Sequence, residues 1–207
     1  MFIIGITGGT GSGKTTVLHA LETLGALAVD CDAIYHELLG TDAAMLGEIG
    51  SRFPGAVSDG KLDRRALGDV VFSDPEALSD LNAITHKYVT AEVNRRLADW
   101  EASGGKAAAI DAIALIEGGR HRMCDVVVGV TAPREVRLQR IMDRDGITRK
   151  SAETRIDAQK PDSFYIENCD YILESKYDAP DEFERACVEF FEGLLGAIAE
   201  SDKGEKQ

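Results

Sequence analysis

The feature that most limits what this chain can become is Gly8-Gly9-Thr10-Gly11-Ser12-Gly13-Lys14-Thr15. It follows a short apolar run, Phe2 to Thr7, and opens a segment of helical periodicity, Lys14 to Leu24, which stops at Gly25. Strand, glycine-rich turn and helix in that order are the context in which G-x-x-x-x-G-K-[ST] cradles phosphate. The glycines let the backbone curl until successive N–H groups face one anion. The helix start adds about half a positive charge. Lys14 is then placed for β- and γ-phosphates, and the Thr15 hydroxyl for Mg²⁺. A dinucleotide-binding turn fits less well, because Gly9-x-Gly11 lacks the later glycine and leaves the Lys-Thr pair without a task.

The rest of the chain keeps the same alternation. Ala26–Val29, Ala107–Leu115, Asp125–Thr131 and Asp170–Leu173 read as further strands. Helices are expected from Ala33 to Leu39 and from Asp74-Pro75 to about Ser103. Others are expected from Pro133 to about Asp143, from Ser151 to Gln159 and from Pro180 to Ala199. Short buried strands alternating with helices imply an α/β fold, a five-stranded parallel sheet with helices on both faces. One domain over residues 1–200 is expected. Its core is 1–32 and 106–200, with a helical subdomain at about 33–105, a lid at about 140–160 and a disordered tail at 201–207.

The formal net charge of −13 argues against a broad nucleic-acid footprint. An anionic ligand therefore needs a local basic patch. No apolar run approaches the roughly 20 residues of a membrane span, and Met1-Phe2-Ile3-Ile4-Gly5 has no feature of a signal peptide. Cys31, Cys124, Cys169 and Cys187 form no CxxC pair and read as reduced thiols, so a cytoplasmic protein is expected.

A phosphate loop says nucleotide, not reaction. The N-K-x-D guanine signature is missing, and so is the Asp-Glu strand end of AAA-type machines. After the second strand comes Asp30-Cys31-Asp32. A carboxylate there is expected at the carboxyl ends of the strands, where it can orient and deprotonate an acceptor hydroxyl. The competing reading of Asp32 is a cap on the helix from Ala33. Arg137, Arg140 and Arg144 are spaced i, i+3, i+7 and share one helix face. Of these, Arg140 is the strongest phosphate ligand and Arg144 is balanced between ligand and surface, while Arg137 and Arg149 read as solvated. Asp111 is a second candidate for Mg²⁺, and His86 and Glu117 are candidate acceptor contacts. Among P-loop proteins these features suit a small-molecule kinase, with a nucleoside, nucleotide or sugar acid also open as acceptor. A non-enzymatic ATP-binding regulator is the other reading.

The segments "IGITGGTGSGKTTV", "VDCDAI", "KLDRRALGDVVFSDPEALSDLNAITH" and "RLQRIMDRDG" with "RIDAQ" resemble the dephospho-CoA kinase family in order and spacing, over roughly Met1 to Asp170. The resemblance implies ATP-dependent phosphorylation of the ribose 3′-hydroxyl of dephospho-CoA. It implies ATP and Mg²⁺ held by Gly8, Gly9, Thr10, Gly11, Ser12, Gly13, Lys14, Thr15 and Thr16. It also makes Asp32 the base and Arg140 a support for the triphosphate. The sequence departs from the family pattern at Lys87, at Ile113–Glu117 and at Leu173–Lys176.

Overall fold

A computed structural model of the chain describes residues 1–176 and 180–204. Its main sheet has five strands: β1 Phe2–Thr7, β2 Leu27–Asp30, β5 Ala107–Asp111, β6 Val126–Thr131 and β7 Tyr171–Glu174. Their order is β2-β5-β1-β6-β7, and the sheet is parallel. The interior strands β1, β5 and β6 read as runs of Ile, Ala and Val because both faces are covered. From β1 the chain moves towards one edge and from its neighbour β5 towards the other. The carboxyl ends of these two strands therefore flank the switch-point crevice where α/β sheets bind ligands.

The chain divides into two compact units, Met1–Val29 with Glu101–Gln207, and Asp30–Trp100. In the first, α1 (Lys14–Thr23) and α9 (Pro180–Gly204) pack together. Val17 and Leu21 of α1 join Ile4, Val128, Phe183 and Phe191 in one core. Helices α6 (Arg134–Asp145) and α7 (Arg149–Asp157) bury Leu138, Ile141, Ala152 and Ile156 between them. Gly146 at φ 62° ends α6, and the Thr148 hydroxyl caps α7. A short helix, α8 (Asp162–Asn168), leads into β7.

The second unit is built from α2 (Cys31–Thr41), α3 (Ala43–Arg52), α4 (Arg64–Val71) and most of α5 (Pro75–Ala102). A two-stranded hairpin lies between α3 and α4: β3 (Val57–Ser58) and β4 (Lys61–Leu62) pair across Asp59 and Gly60, both at positive φ. Exposed ion pairs join the shorter helices to α5: Arg52 to Asp80, Lys87 to Glu48, and Arg96 to Glu37. The departure at Lys87 is thus a cation pairing with α3. Hydrogen bonds from Lys87 and then Tyr88 hold the Glu48 carboxyl below its ordinary range.

Three boundaries differ from the sequence reading. The third strand ends at Asp111, not Leu115, because the chain turns over residues 113–119. Leu115 is fully buried from that turn, where a side chain on Gly5 would come within 2.7 Å of it. The α2 helix starts at Cys31, two residues early. Finally, α9 runs to Gly204, past Ala199, while the tail expectation for 205–207 lies outside the described residues.

Candidate active site

Between β1 and α1 the loop Gly8–Gly13 is shaped by neighbours that exclude side chains. Gly8 has φ 149°, and a Cβ there would lie 2.2 Å from the Val130 carbonyl oxygen; one on Gly9 would lie 2.2 Å from Arg137 Nη2. Only glycine fits either place. The first helical residue follows Gly13 at φ 107°, and no side chain caps that helix start. The donors of a helix's first turn are the groups an anion satisfies. Lys14 folds back over the loop, its Nζ donating to the Gly8 carbonyl at 3.0 Å. The Ser12 hydroxyl is 1% exposed and its oxygen has no hydrogen-bond partner in the structure. Thr15 is exposed, and Thr16 follows in the first turn of α1.

The shared arginine face of α6 lies along this loop, and its three members meet three different fates. Arg140 donates to the Gly11 carbonyl at 3.2 Å and to Ser175 Oγ at 3.0 Å, and makes no ion pair among the described residues. Burial pushes its pKa down from the ordinary arginine value. Arg144 is paired with Asp145 at 2.7 Å and reaches only the Thr10 hydroxyl, at 3.5 Å. Arg137 corrects the sequence reading: it is not solvated but 4% exposed. Its guanidinium donates to the Thr10 carbonyl (2.9 Å), Gln159 Oε1 (3.1 Å) and Asp162 Oδ1 (3.2 Å). Arg149, by contrast, does lie at the surface, bound to Glu135 and Glu153.

Asp111 closes β5 in register with Ile6, one residue before the end of β1. Thr7 Oγ1 donates to the Ile113 carbonyl at 3.2 Å, so the altered segment 113–117 is anchored at the end of β1. Glu117 is exposed, and together with the larger effect of burial it pushes the Tyr165 phenol up to about 12.

In the second unit, Asp30 is the helix cap. Its Oδ1 accepts from the backbone N–H of Asp32 at 2.8 Å and of Ala33 at 2.9 Å. Asp32 is an exposed residue of the first turn. The reading of Asp32 as cap is therefore corrected by a helix that begins two residues earlier. His86 is exposed on α5. This unit also holds an apolar cavity of about 200 Å³, walled in part by Tyr35, Leu39, Leu67, Val71 and Phe72, with Arg64 beside them. Phe72 is 88% exposed although it ends the apolar face of α4.

The model of the dephospho-CoA kinase family matches residues 2–181. The chain belongs to that family. A dephospho-CoA kinase of Moorella thermoacetica is 39% identical over 191 residues, 91% of this chain and 89% of its own length. One from Geobacter sulfurreducens is 38% identical over 198 residues, 92% and 98% of the two chains. Among solved structures, TT1252 from Thermus thermophilus superposes with a TM-score of 0.76 at 35% identity, covering 96% of this chain and 97% of that one. A dephospho-CoA kinase from Campylobacter jejuni gives 0.69 at 26% identity, with 95% and 98% covered. A shikimate kinase from Acinetobacter baumannii, at 18% identity and TM-score 0.52 over 94% of each chain, shares the fold alone.

Proposed function

We propose that the chain transfers the γ-phosphoryl group of ATP to the ribose 3′-hydroxyl of dephospho-CoA, giving coenzyme A and ADP. Family membership names the reaction. One observation carries the chemistry: a glycine cradle that admits no side chains, spanned by Lys14 and bordered by Arg140, a guanidinium with no acid partner among the described residues. Such a site stabilises charge spread over transferring phosphoryl oxygens, and phosphoryl transfer asks for little else besides positioning.

In this reading the backbone of Gly8 to Gly13 and the start of α1, with Thr16, hold the triphosphate, and the Ser12 hydroxyl finds its partner there. Lys14 binds the β- and γ-phosphates. Arg140 takes up charge on the γ-phosphoryl group, with Arg144 a weaker contributor because Asp145 already occupies it. Asp32 orients the 3′-hydroxyl and accepts its proton. The α6–α7 region, about 140–160, closes as a lid that keeps water from competing with the hydroxyl. The pantetheine arm of the acceptor lies in the apolar cavity beside Phe72, and Arg64 meets its pyrophosphate.

The residues present suit Mg²⁺. The Thr15 hydroxyl and the Asp111 carboxylate are hard oxygen donors, and no group of three or more His, Cys, Asp or Glu cages a metal among the described residues. Bound through these oxygens, with waters and phosphates completing its shell, Mg²⁺ would neutralise charge on the β- and γ-phosphates. Among the described residues no helix is long and apolar enough to cross a membrane; we place the enzyme in the cytoplasm.

A coupled ADP-release assay tests the proposal. ADP release with ATP and Mg²⁺ is expected to depend on dephospho-CoA and to vanish with EDTA. Release that ignores dephospho-CoA, or that responds to shikimate or a nucleoside instead, would overturn it.

A further inference from the structure

Thr10 is gripped from both sides of its peptide. Its N–H donates to Gln159 Oε1 at 2.8 Å, and its carbonyl accepts from Arg137 Nε at 2.9 Å. The two gripping groups are themselves bonded, Arg137 Nη2 to Gln159 Oε1 at 3.1 Å, and the far side of the guanidinium is fixed by Asp162 Oδ1 at 3.2 Å. The same arginine lies under the loop on either side of Thr10: side chains on Gly9 and Gly11 would strike it at 2.2 and 2.9 Å. At 4% exposure it is a brace rather than a finger reaching for nucleotide.

We infer that Arg137 and Gln159 are positioning residues that hold the phosphate loop in its anion-binding shape through the Thr10 peptide. The inference rests on the phosphate-loop reading of residues 8–16. A glycine-rich loop loses much conformational entropy when it is ordered, and a loop already ordered spares the nucleotide that cost on binding. The brace links distant parts of the chain. Arg137 belongs to α6, Gln159 follows α7 and Asp162 opens α8, so the loop keeps its shape only while α6 and α7 hold their places. By linkage, what tightens the loop must also tighten the junction at Gln159.

The test uses the whole chain and the non-hydrolysable analogue AMPPNP with Mg²⁺. Gln159 is half-buried, so its replacement should spare the fold. Gln159→Ala should weaken analogue binding by about tenfold in calorimetry, as one lost hydrogen bond predicts. The KM for ATP should rise in parallel, kcat should stay within about twofold, and hydrogen exchange at the Thr10 amide should accelerate. Gln159→Glu keeps the accepting oxygen and should return both binding and Thr10 protection most of the way. Wild-type affinity in Gln159→Ala would overturn the inference. So would a loss that follows the melting temperature and is not recovered by Gln159→Glu. A wild-type chain that fails to bind AMPPNP would overturn the phosphate-loop reading, and the inference with it.

Discussion

The helices of the two units begin in opposite ways. In the second unit all four open on an aspartate: Asp30, Asp42, Asp63 and Asp74 each accept hydrogen bonds from the first turn. In the first unit α1 opens on Gly13 without any side-chain cap. A capped helix has satisfied its own donors and offers little to an anion; an uncapped one beside a glycine loop leaves them for a ligand. The glycines tell the same story. Those at 8, 9 and 11 are pressed against neighbouring atoms, whereas Gly40, Gly47, Gly55 and Gly60 have nothing within 4 Å of a would-be Cβ. One region is shaped to hold phosphate and the other is fastened for stability, so the two should respond differently to the same kind of change.

The largest contrast should come from Lys14→Ala. Removing the cation that spans the loop is expected to cost about 10²–10³-fold in turnover with little change in melting temperature, measured by ADP release and thermal shift. Next is Gly9→Ala. Its methyl group would displace the Arg137 fork and should weaken ATP by about tenfold while lowering stability by about 1–3 kcal/mol, read by calorimetry and denaturant melts. Phe72→Ala sharpens the comparison from the other side. If the pantetheine arm packs on that ring, the KM for dephospho-CoA should rise roughly five- to tenfold with the KM for ATP unchanged, and 5′-AMP, which lacks the arm, should be used equally by variant and wild type. The smallest effect belongs to Gly47→Ala in α3. With open space around it, alanine should stabilise the protein by about 0.5–1 kcal/mol and leave turnover alone; destabilisation there would break the contrast between the two sets of glycines.

Much of the first unit was legible because its signals are local. Strand, glycine turn and Lys-Thr sit within a dozen residues, and the i, i+3, i+7 spacing does put Arg137, Arg140 and Arg144 along one loop. What each arginine does there was not legible. It depends on Gln159 and Asp162, brought in by the fold from 22 and 25 residues away. The end of the third strand was misjudged because Leu115 is apolar for a reason other than strand pairing: it covers Gly5 from a turn. In the second unit the helix starts were largely missed, although Asp42 and Asp63 each precede a helix and are plain cap signals. Asp59-Gly60 between Ser58 and Lys61 is the dipeptide that marks a tight hairpin, and it too went unread. Around Asp32 the helix start was misplaced by two residues, which assigned the cap to the wrong aspartate.

That correction makes Asp32 the sharpest point of the account. Since Asp30 carries the cap, Asp32→Asn removes a charge and a proton acceptor without disturbing the start of α2. The deciding measurement is kcat for Asp32→Asn with saturating ATP and dephospho-CoA, with ATP binding measured on the same sample. The expected result is a loss of at least about 100-fold in kcat, with ATP affinity and melting temperature close to wild type. A near-wild-type rate would contradict the account and take the proton acceptor away from Asp32.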